Sequence, residues 1–345
     1  MTRRRTLTSL TALTLAPASS ALARIRPLGL VLPTDNDKIF SDPPSFYMYT
    51  DRNFEGRSSQ PWEAGQYGFV RNPQRAGQHI IYTRFHEGVD IRPVRRDSSG
   101  EPLDEVRSIA AGTVVHASHD AGKSSYGRYA VVRHDWGYGD FYSLYAHLSS
   151  ITAEVGAELS AGDSLGILGH TGPGLDRTRA HLHLELNLLI SSRYQDWHDT
   201  HFTSPNHHGN YNGINLVGID IASLYLAHRG DPNISIPAFL SGVPPYYRVT
   251  IPAARPLELL ERYPWLGRGI ADAPAHPSWD ISLDPSGIPL AIAPSARATP
   301  RAAVSWVEGA GAHSSHTRGH LAGTGANASL SASGLRYIQL LSNTF

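Results

Sequence analysis

Residues 181–186 read HLHLEL, and this alternation constrains the chain more than any other stretch. His181, His183 and Glu185 alternate with Leu182, Leu184 and Leu186, the period of a β-strand with two different faces. Both imidazoles project from one face, and the leucines pack behind them. Two histidines in register, with a glutamate after them, are costly to bury without a partner. On this strand alone, a pair of hydrogen-bonded core histidines stays open beside a metal or catalytic site.

The neighbouring sequence extends the pattern. RSIAAGTVVHAS, RYAVVRHD, DFYSLYAHLS and DSLGILGHTG are β-branched or aromatic runs bounded by Gly, Asp or Ser. Strands at that spacing without intervening helices predict a mainly β domain, a compact antiparallel sandwich or barrel-like unit, over residues 65–228. A short helix is expected around Ile221 to His228. Residues 24–64 are rich in Pro, Asp and Ser and show no sustained period, which predicts an extended arm wrapped on that domain. Residues 229–345 read as an extension of mixed strands, one helix and loops. RPLELLERYPWLG predicts the helix, ending near Gly267, and WDISLDPSGIPLAIA predicts a hairpin around Asp284-Pro-Ser-Gly. The segment GAGAHSSHTRGHLAGTGANASLSAS predicts loop or disorder.

The 30 basic and 30 acidic residues cancel, so nothing in the charge favours nucleic acid or an anionic membrane. The chain opens MTRRRTLTSLTALTLAPASSALA, where three arginines precede a mildly apolar stretch ending in an Ala-Leu-Ala cleavage-type signal. That stretch is too short and too rich in Thr and Ser to span a bilayer. Residues 1–23 are therefore expected to be a removed signal peptide, and the protein to be exported to a periplasm or the extracellular space. The arginines also permit a twin-arginine signal. With 18 histidines and no cysteine, any metal site must use imidazole and carboxylate.

HEGVDI, residues 86–91, supplies a possible second half of such a site. On a straight strand His86 and Asp90 would stand about 13 Å apart, too far to share an ion with bonds near ~2 Å. Gly88 permits a bend that brings them together. HxxxD alone occurs by chance in many chains. In order, however, His86, Asp90, Tyr145-Ala-His147-Leu in a strand, a Gly-rich turn and His181-Leu-His183 resemble the LytM/lysostaphin-type zinc metallopeptidases, which cut peptides of bacterial peptidoglycan. The resemblance covers roughly residues 65–190. It implies one zinc per chain bound by His86, Asp90 and His183, with His181 and His147 as catalytic histidines. Spacing by itself leaves open which of His181 and His183 binds metal. The resemblance departs at TGPGLDRTRAHLH, where Arg179-Ala180 stands in place of the family's Ser/Thr-Gly-Pro turn directly before HxH. Glu185 is read either as an acceptor for a ligand imidazole or as an arginine's partner.

His198, His201, His207 and His208, and likewise His313, His316 and His320, lie in polar sequence without carboxylates at ligand spacing and are expected to be solvated. The first group could rim a substrate groove. Two further functions compete with a secreted peptidase of cell-wall peptides. A catalytically silent LytM-like binding or regulatory domain would be expected to lose ligands, and every motif position here is filled. A biotinyl/lipoyl-type carrier would need an exposed lysine at a hairpin tip, commonly beside methionine, and the only methionines are Met1 and Met48.

Overall fold

The computed structural model describes residues 25–271 and 275–345. The expected signal peptide lies outside the described residues. Among the described residues, no helix is long and apolar enough to cross a membrane.

The fold is mainly β, with several antiparallel sheets. The principal sheet has seven strands: β1 (Val89–Ile91), β2 (Gly112–Ser118), β3 (Tyr129–Asp135), β4 (Asp140–Ala146), β5 (Glu158–Leu159), β6 (Leu182–Leu189) and β7 (Leu216–Ile219). Its order is β5-β2-β3-β4-β6-β7, with β1 beside β7 on the same edge of β6. Every ladder in it is antiparallel, and the sheet does not close into a barrel. The four β-runs read from the sequence all contain strands; the last is Ser164–Ile167, in a separate three-stranded sheet with Glu105–Arg107 and Ser150–Ile151.

β6 is the hub of the site. Leu182, Leu184, Leu186 and Leu188 enter the main hydrophobic core, as the alternation predicts. The strand is buried along both faces rather than half-buried. Its polar face is tolerated there because His183, Glu185 and Asn187 have hydrogen-bond partners.

Residues 25–64 pack against this sheet. The Met48 amide donates to the Asp90 carbonyl at 2.8 Å, and the Arg92 amide donates to the Phe46 carbonyl at 2.9 Å. The arm therefore holds the edge of β1 that β6 leaves open, so β1 is fixed from both sides.

Residues 229–345 share the same continuous core through Tyr247, Leu259, Tyr263, Ile281 and Tyr337. They form a four-stranded sheet of β8 (Tyr247–Pro252), β9 (Ser278–Leu283), β10 (Pro289–Ser295) and β11 (Ala303–Val307), in the order β10-β9-β8-β11. The β9–β10 hairpin is the one expected around Asp284, whose carboxylate accepts from the Ile288 amide at 2.7 Å. The tyrosine hydroxyl of Tyr263 donates to the Asp140 carbonyl at 2.7 Å and accepts from the Leu189 amide at 2.9 Å, pinning the extension onto β4 and β6.

Helices are more numerous than the sequence reading held. Beyond the single turn Pro43–Phe46 in the arm, they are α1 (Tyr194–His201), α2 (Ile221–Gly230), α3 (Ile236–Ser241), α4 (Glu258–Arg262) and α5 (Ala332–Ser342). The helix expected to run to Gly267 stops at Arg262, because Pro264 disfavours helical backbone at Tyr263 and only a 3-10 turn follows. The segment 309–333 is ordered rather than loop alone: Leu321–Ala322 pairs with Ser329–Leu330, and Ser331 caps α5 by accepting from the Gly334 amide.

Candidate active site

Each element brings one part of the site. His86 enters just before β1, Asp90 sits at the middle of β1, and His183 lies opposite Asp90 in the β1–β6 register. The chain turns at Gly88, but the need for glycine there is space. A Cβ on Gly88 would fall 2.6 Å from the Leu184 carbonyl oxygen and 2.8 Å from His183 Cε1.

This packing brings three donor atoms together. His86 Nε2 is 3.1 Å from Asp90 Oδ1 and 3.1 Å from His183 Nδ1, and the last two are 2.9 Å apart. All three residues are buried, and their ligand atoms lie within 4.8 Å of one another.

The hydrogen bonds on the far side of each ring assign the tautomers. His86 Nδ1 lies 2.9 Å from the Gln66 carbonyl, so it carries the proton and leaves Nε2 as a lone pair. His183 is turned the other way: Nε2 donates to Glu185 Oε1 at 2.8 Å, leaving Nδ1 toward Asp90. Glu185 Oε1 also accepts from the Tyr126 hydroxyl at 2.7 Å. Of the two readings of Glu185, the geometry gives the imidazole acceptor. Asp90 Oδ2 pairs with Arg71, which leaves Oδ1 facing the two histidines.

Charge follows from these contacts. Burial alone would raise Asp90, but Arg71 and His86 hold it well below the usual carboxylate range, so it is ionised. Burial, aided by the Arg71 charge, lowers His86. Burial opposes a charge on His183, yet its hydrogen bonds to Asp90 and Glu185 prevail and push it up to about 10. The point between the three atoms thus favours positive charge. Two imidazoles and a carboxylate, oriented by Gln66 and Glu185, are a donor set that fits a zinc ion and leaves a tetrahedral position open.

His181 and His147 stand next to this triad, with ring centroids 4.8 Å apart. His181 Nδ1 donates to the Arg179 carbonyl at 2.7 Å, and its Nε2 is 3.4 Å from Asp90 Oδ1. His147 lies one residue past the end of β4 rather than within it, at a left-handed φ of 64°. Its Nδ1 donates to the Thr171 carbonyl at 2.8 Å. Burial, then the neighbouring His181 and His183, hold His147 well below the usual imidazole range, so it is neutral with a lone pair on Nε2. A non-glycine residue at positive φ is strained, and here the strain aims that ring into the site.

His86, His147, His181 and His183 line one groove of about 530 Å³, whose other walls include Thr50 from the arm and Arg71, Arg84, Glu87, Tyr126 and Arg179. The two remaining histidine groups do not line it. Nor are they uniformly solvated: His198 is buried within α1, His313 donates or accepts at both ring nitrogens, and His320 stacks on Tyr337. The sequence reading missed this because their partners, such as the Tyr246 hydroxyl and the Gly325 carbonyl, carry no periodic signal. It likewise missed Arg71 and Tyr126, which reach Asp90 and Glu185 only through the tertiary fold.

Residues 84–196 match the family model described as Peptidase family M23, which bears out the resemblance read from the motifs. No curated protein matches the chain. Among solved structures, one from Pseudomonas aeruginosa described as an M23 peptidase is 20% identical, over 48% of this chain and 48% of its own, with a TM-score of 0.27. The catalytic domain of the antimicrobial peptidase lysostaphin from Staphylococcus simulans is 24% identical over 40% of this chain and 79% of its own, TM-score 0.25. A zinc-containing peptidase from Vibrio cholerae is 21% identical over 40% of this chain and 43% of its own, TM-score 0.24. The chain spans about half the length of the first of these.

Proposed function

We propose that the M23 domain at residues 84–196 makes this chain an exported zinc endopeptidase that hydrolyses peptides of bacterial peptidoglycan. The observation that carries this reading is the convergence of His86 Nε2, Asp90 Oδ1 and His183 Nδ1, each with its second polar atom tied to another group. Zinc held by these three atoms supplies a Lewis acid that polarises the scissile carbonyl and makes water a better nucleophile near neutral pH. His181 Nε2, with its other nitrogen fixed by the Arg179 carbonyl, is placed to take the proton of the attacking water and return it to the leaving amine.

His147 takes a more specific role than sequence alone allows. A neutral ring that donates from Nδ1 to Thr171 has no proton on Nε2. It can stabilise a developing oxyanion only after it has itself accepted a proton. We therefore assign His147 as a second proton acceptor beside His181, and as an oxyanion donor only once protonated. A catalytically silent domain is the weaker reading, since every ligand position is filled and each ligand is oriented by a further hydrogen bond.

The test is metal analysis of the purified mature protein together with digestion of whole peptidoglycan. Cleavage should release new amino termini that disappear on chelation, with about one zinc per chain. New reducing ends without new amines would mean a glycosidase and would overturn the assignment.

A further inference from the structure

Glu87 stands between the ligand His86 and Gly88, and it lines the same groove as His86 and His183. Its backbone is fixed on two sides. The Gly68 amide donates to the His86 carbonyl at 2.8 Å, and the His86 amide donates to the Phe69 carbonyl at 3.0 Å. Opposite them the Glu87 carbonyl oxygen packs on Gly218, where a Cβ would come within 2.3 Å of it. Only the side chain has a choice of position. Burial would raise Glu87, but Arg318, then His183 and His86, hold it below the usual carboxylate range. The carboxylate thus faces the two ligand rings as well as the arginine.

Arg318 belongs to the C-terminal extension, outside the residues that match the M23 model. It is held at a left-handed φ of 49°, and its Nη2 donates to the Gly213 carbonyl at 3.1 Å. Thr317 locks the turn beside it. The Thr317 hydroxyl donates to the His313 carbonyl at 2.9 Å and accepts from the Leu321 amide at 3.1 Å. Arg318 Nη2 lies 3.8 Å from Glu87 Oε1, too long for a hydrogen bond, so charge draws the carboxylate to this side. Water screens that attraction poorly, because the two side chains are only 19% and 28% exposed.

A catalytic zinc site keeps its fourth position open, and a glutamate oxygen is itself a good zinc ligand. A groove carboxylate one residue from a ligand therefore competes for the position that water must take. We infer that Arg318 is a positioning residue that draws the Glu87 carboxylate away from the metal and keeps that position open. Through it, residues 229–345 belong to the working site rather than to an appended module. This rests on the zinc peptidase reading above.

The experiment is a double-mutant cycle of Arg318→Met and Glu87→Gln in the full chain. Methionine keeps an unbranched stem in the arginine's place and removes the charge. Zinc affinity is read by competition with a chromophoric chelator, and kcat and KM on a cross-linked dimer of stem peptides. Arg318→Met should raise zinc affinity about tenfold and lower kcat about tenfold or more, with KM within about threefold, because Glu87 becomes a fourth ligand. In the Glu87→Gln background the same change should move neither affinity nor kcat by more than about twofold. Arg318→Lys keeps the charge and should hold zinc affinity within about threefold of the wild type. The visible spectrum of the cobalt-loaded protein reports the added ligand, and should change in Arg318→Met but not in the double variant. Arg318→Gln repeats the cycle if the methionine variant does not fold. Zinc affinity and kcat that fall together in both Glu87 backgrounds, or that stay unchanged, overturn the positioning role and leave the peptidase reading standing. The expected cycle in affinity and spectrum, without peptide cleavage by the wild type, supports the positioning role and overturns the peptidase reading. A wild-type chain that binds no zinc overturns both.

Discussion

His183 Nε2 donates to Glu185 Oε1 across 2.8 Å on the buried polar face of a single strand, two residues apart. This contact turns His183 so that Nδ1, not Nε2, faces Asp90 and His86. Glu185→Gln keeps the shape but removes the charge that raises the basicity of the ligand imidazole. Zinc affinity should fall by about 10- to 100-fold, the usual cost of losing such an outer partner. Competition with a chromophoric chelator measures it. An affinity equal to that of the wild type would show that Glu185 only fills space.

His181 and His183 share a strand face but are assigned different work. His181→Ala should keep zinc, since three ligands remain, and lose turnover by about two to four orders of magnitude, the range for a general base. His183→Ala should lose zinc as well. Zinc content by mass spectrometry of metals, read beside activity, separates the two. Zinc lost in His181→Ala but kept in His183→Ala would mean the roles are exchanged, and equal zinc content in both would mean that His183 is not a separate ligand.

The β1–β6 register makes Gly88 the most demanding position in the site. A methyl group there would meet the Leu184 carbonyl at 2.6 Å, and that atom belongs to the backbone of the strand carrying His183. Gly88→Ala should separate β1 from β6, at a cost of about 1–3 kcal/mol, the typical range for overpacking. Asp90 would move away from His183 at the same time. We expect a lower urea midpoint together with weaker zinc binding. Weaker binding at an unchanged midpoint would place the effect in the loop alone.

Much of this site is legible in the sequence for a plain reason. HLHLEL is a period-two pattern, and such a pattern states which side chains share a face. HEGVDI gives the second half only through order and context, because a bend at Gly88 has no periodic signature. The sequence does suggest why glycine matters there, but as a hinge; the close approach of β6 is a tertiary fact. The same limit applies to Arg71, Tyr126 and the Gln66 carbonyl. Each contacts a ligand or its partner from a segment whose own pattern is unremarkable. In residues 229–345, the β9–β10 hairpin announces itself through its turn residues, whereas α5 follows a Gly/Ala/Ser stretch that masks its cap at Ser331.

His134 makes the fold itself sensitive to acid, independently of the catalytic groups. It is fully buried, with Nδ1 donating to the Ala111 carbonyl at 2.8 Å and Nε2 2.7 Å from Ser143 Oγ. The Ser143 hydroxyl is in turn hydrogen-bonded to Tyr145 at 2.9 Å, and Tyr145 accepts from the Ile109 amide. Burial is the main cause that brings His134 down from 6.5 to about 4, so it folds as the neutral ring. The unfolded chain binds a proton on this residue near pH 6.5, whereas the folded chain resists it until about pH 4. The stability it contributes is therefore complete above the unfolded value and is lost as pH falls through that window. The shift corresponds to about 3 kcal/mol between pH 7 and pH 4. Urea unfolding at those two pH values, in the wild type and in His134→Gln, isolates this residue from the other titrating groups. The variant should be less stable at pH 7 through lost packing, and its further loss on acidification should be smaller than that of the wild type by about the same 3 kcal/mol. Parallel losses in the two proteins would mean that His134 is protonated in the folded state and that the hydrogen-bond chain through Ser143 does not hold it neutral.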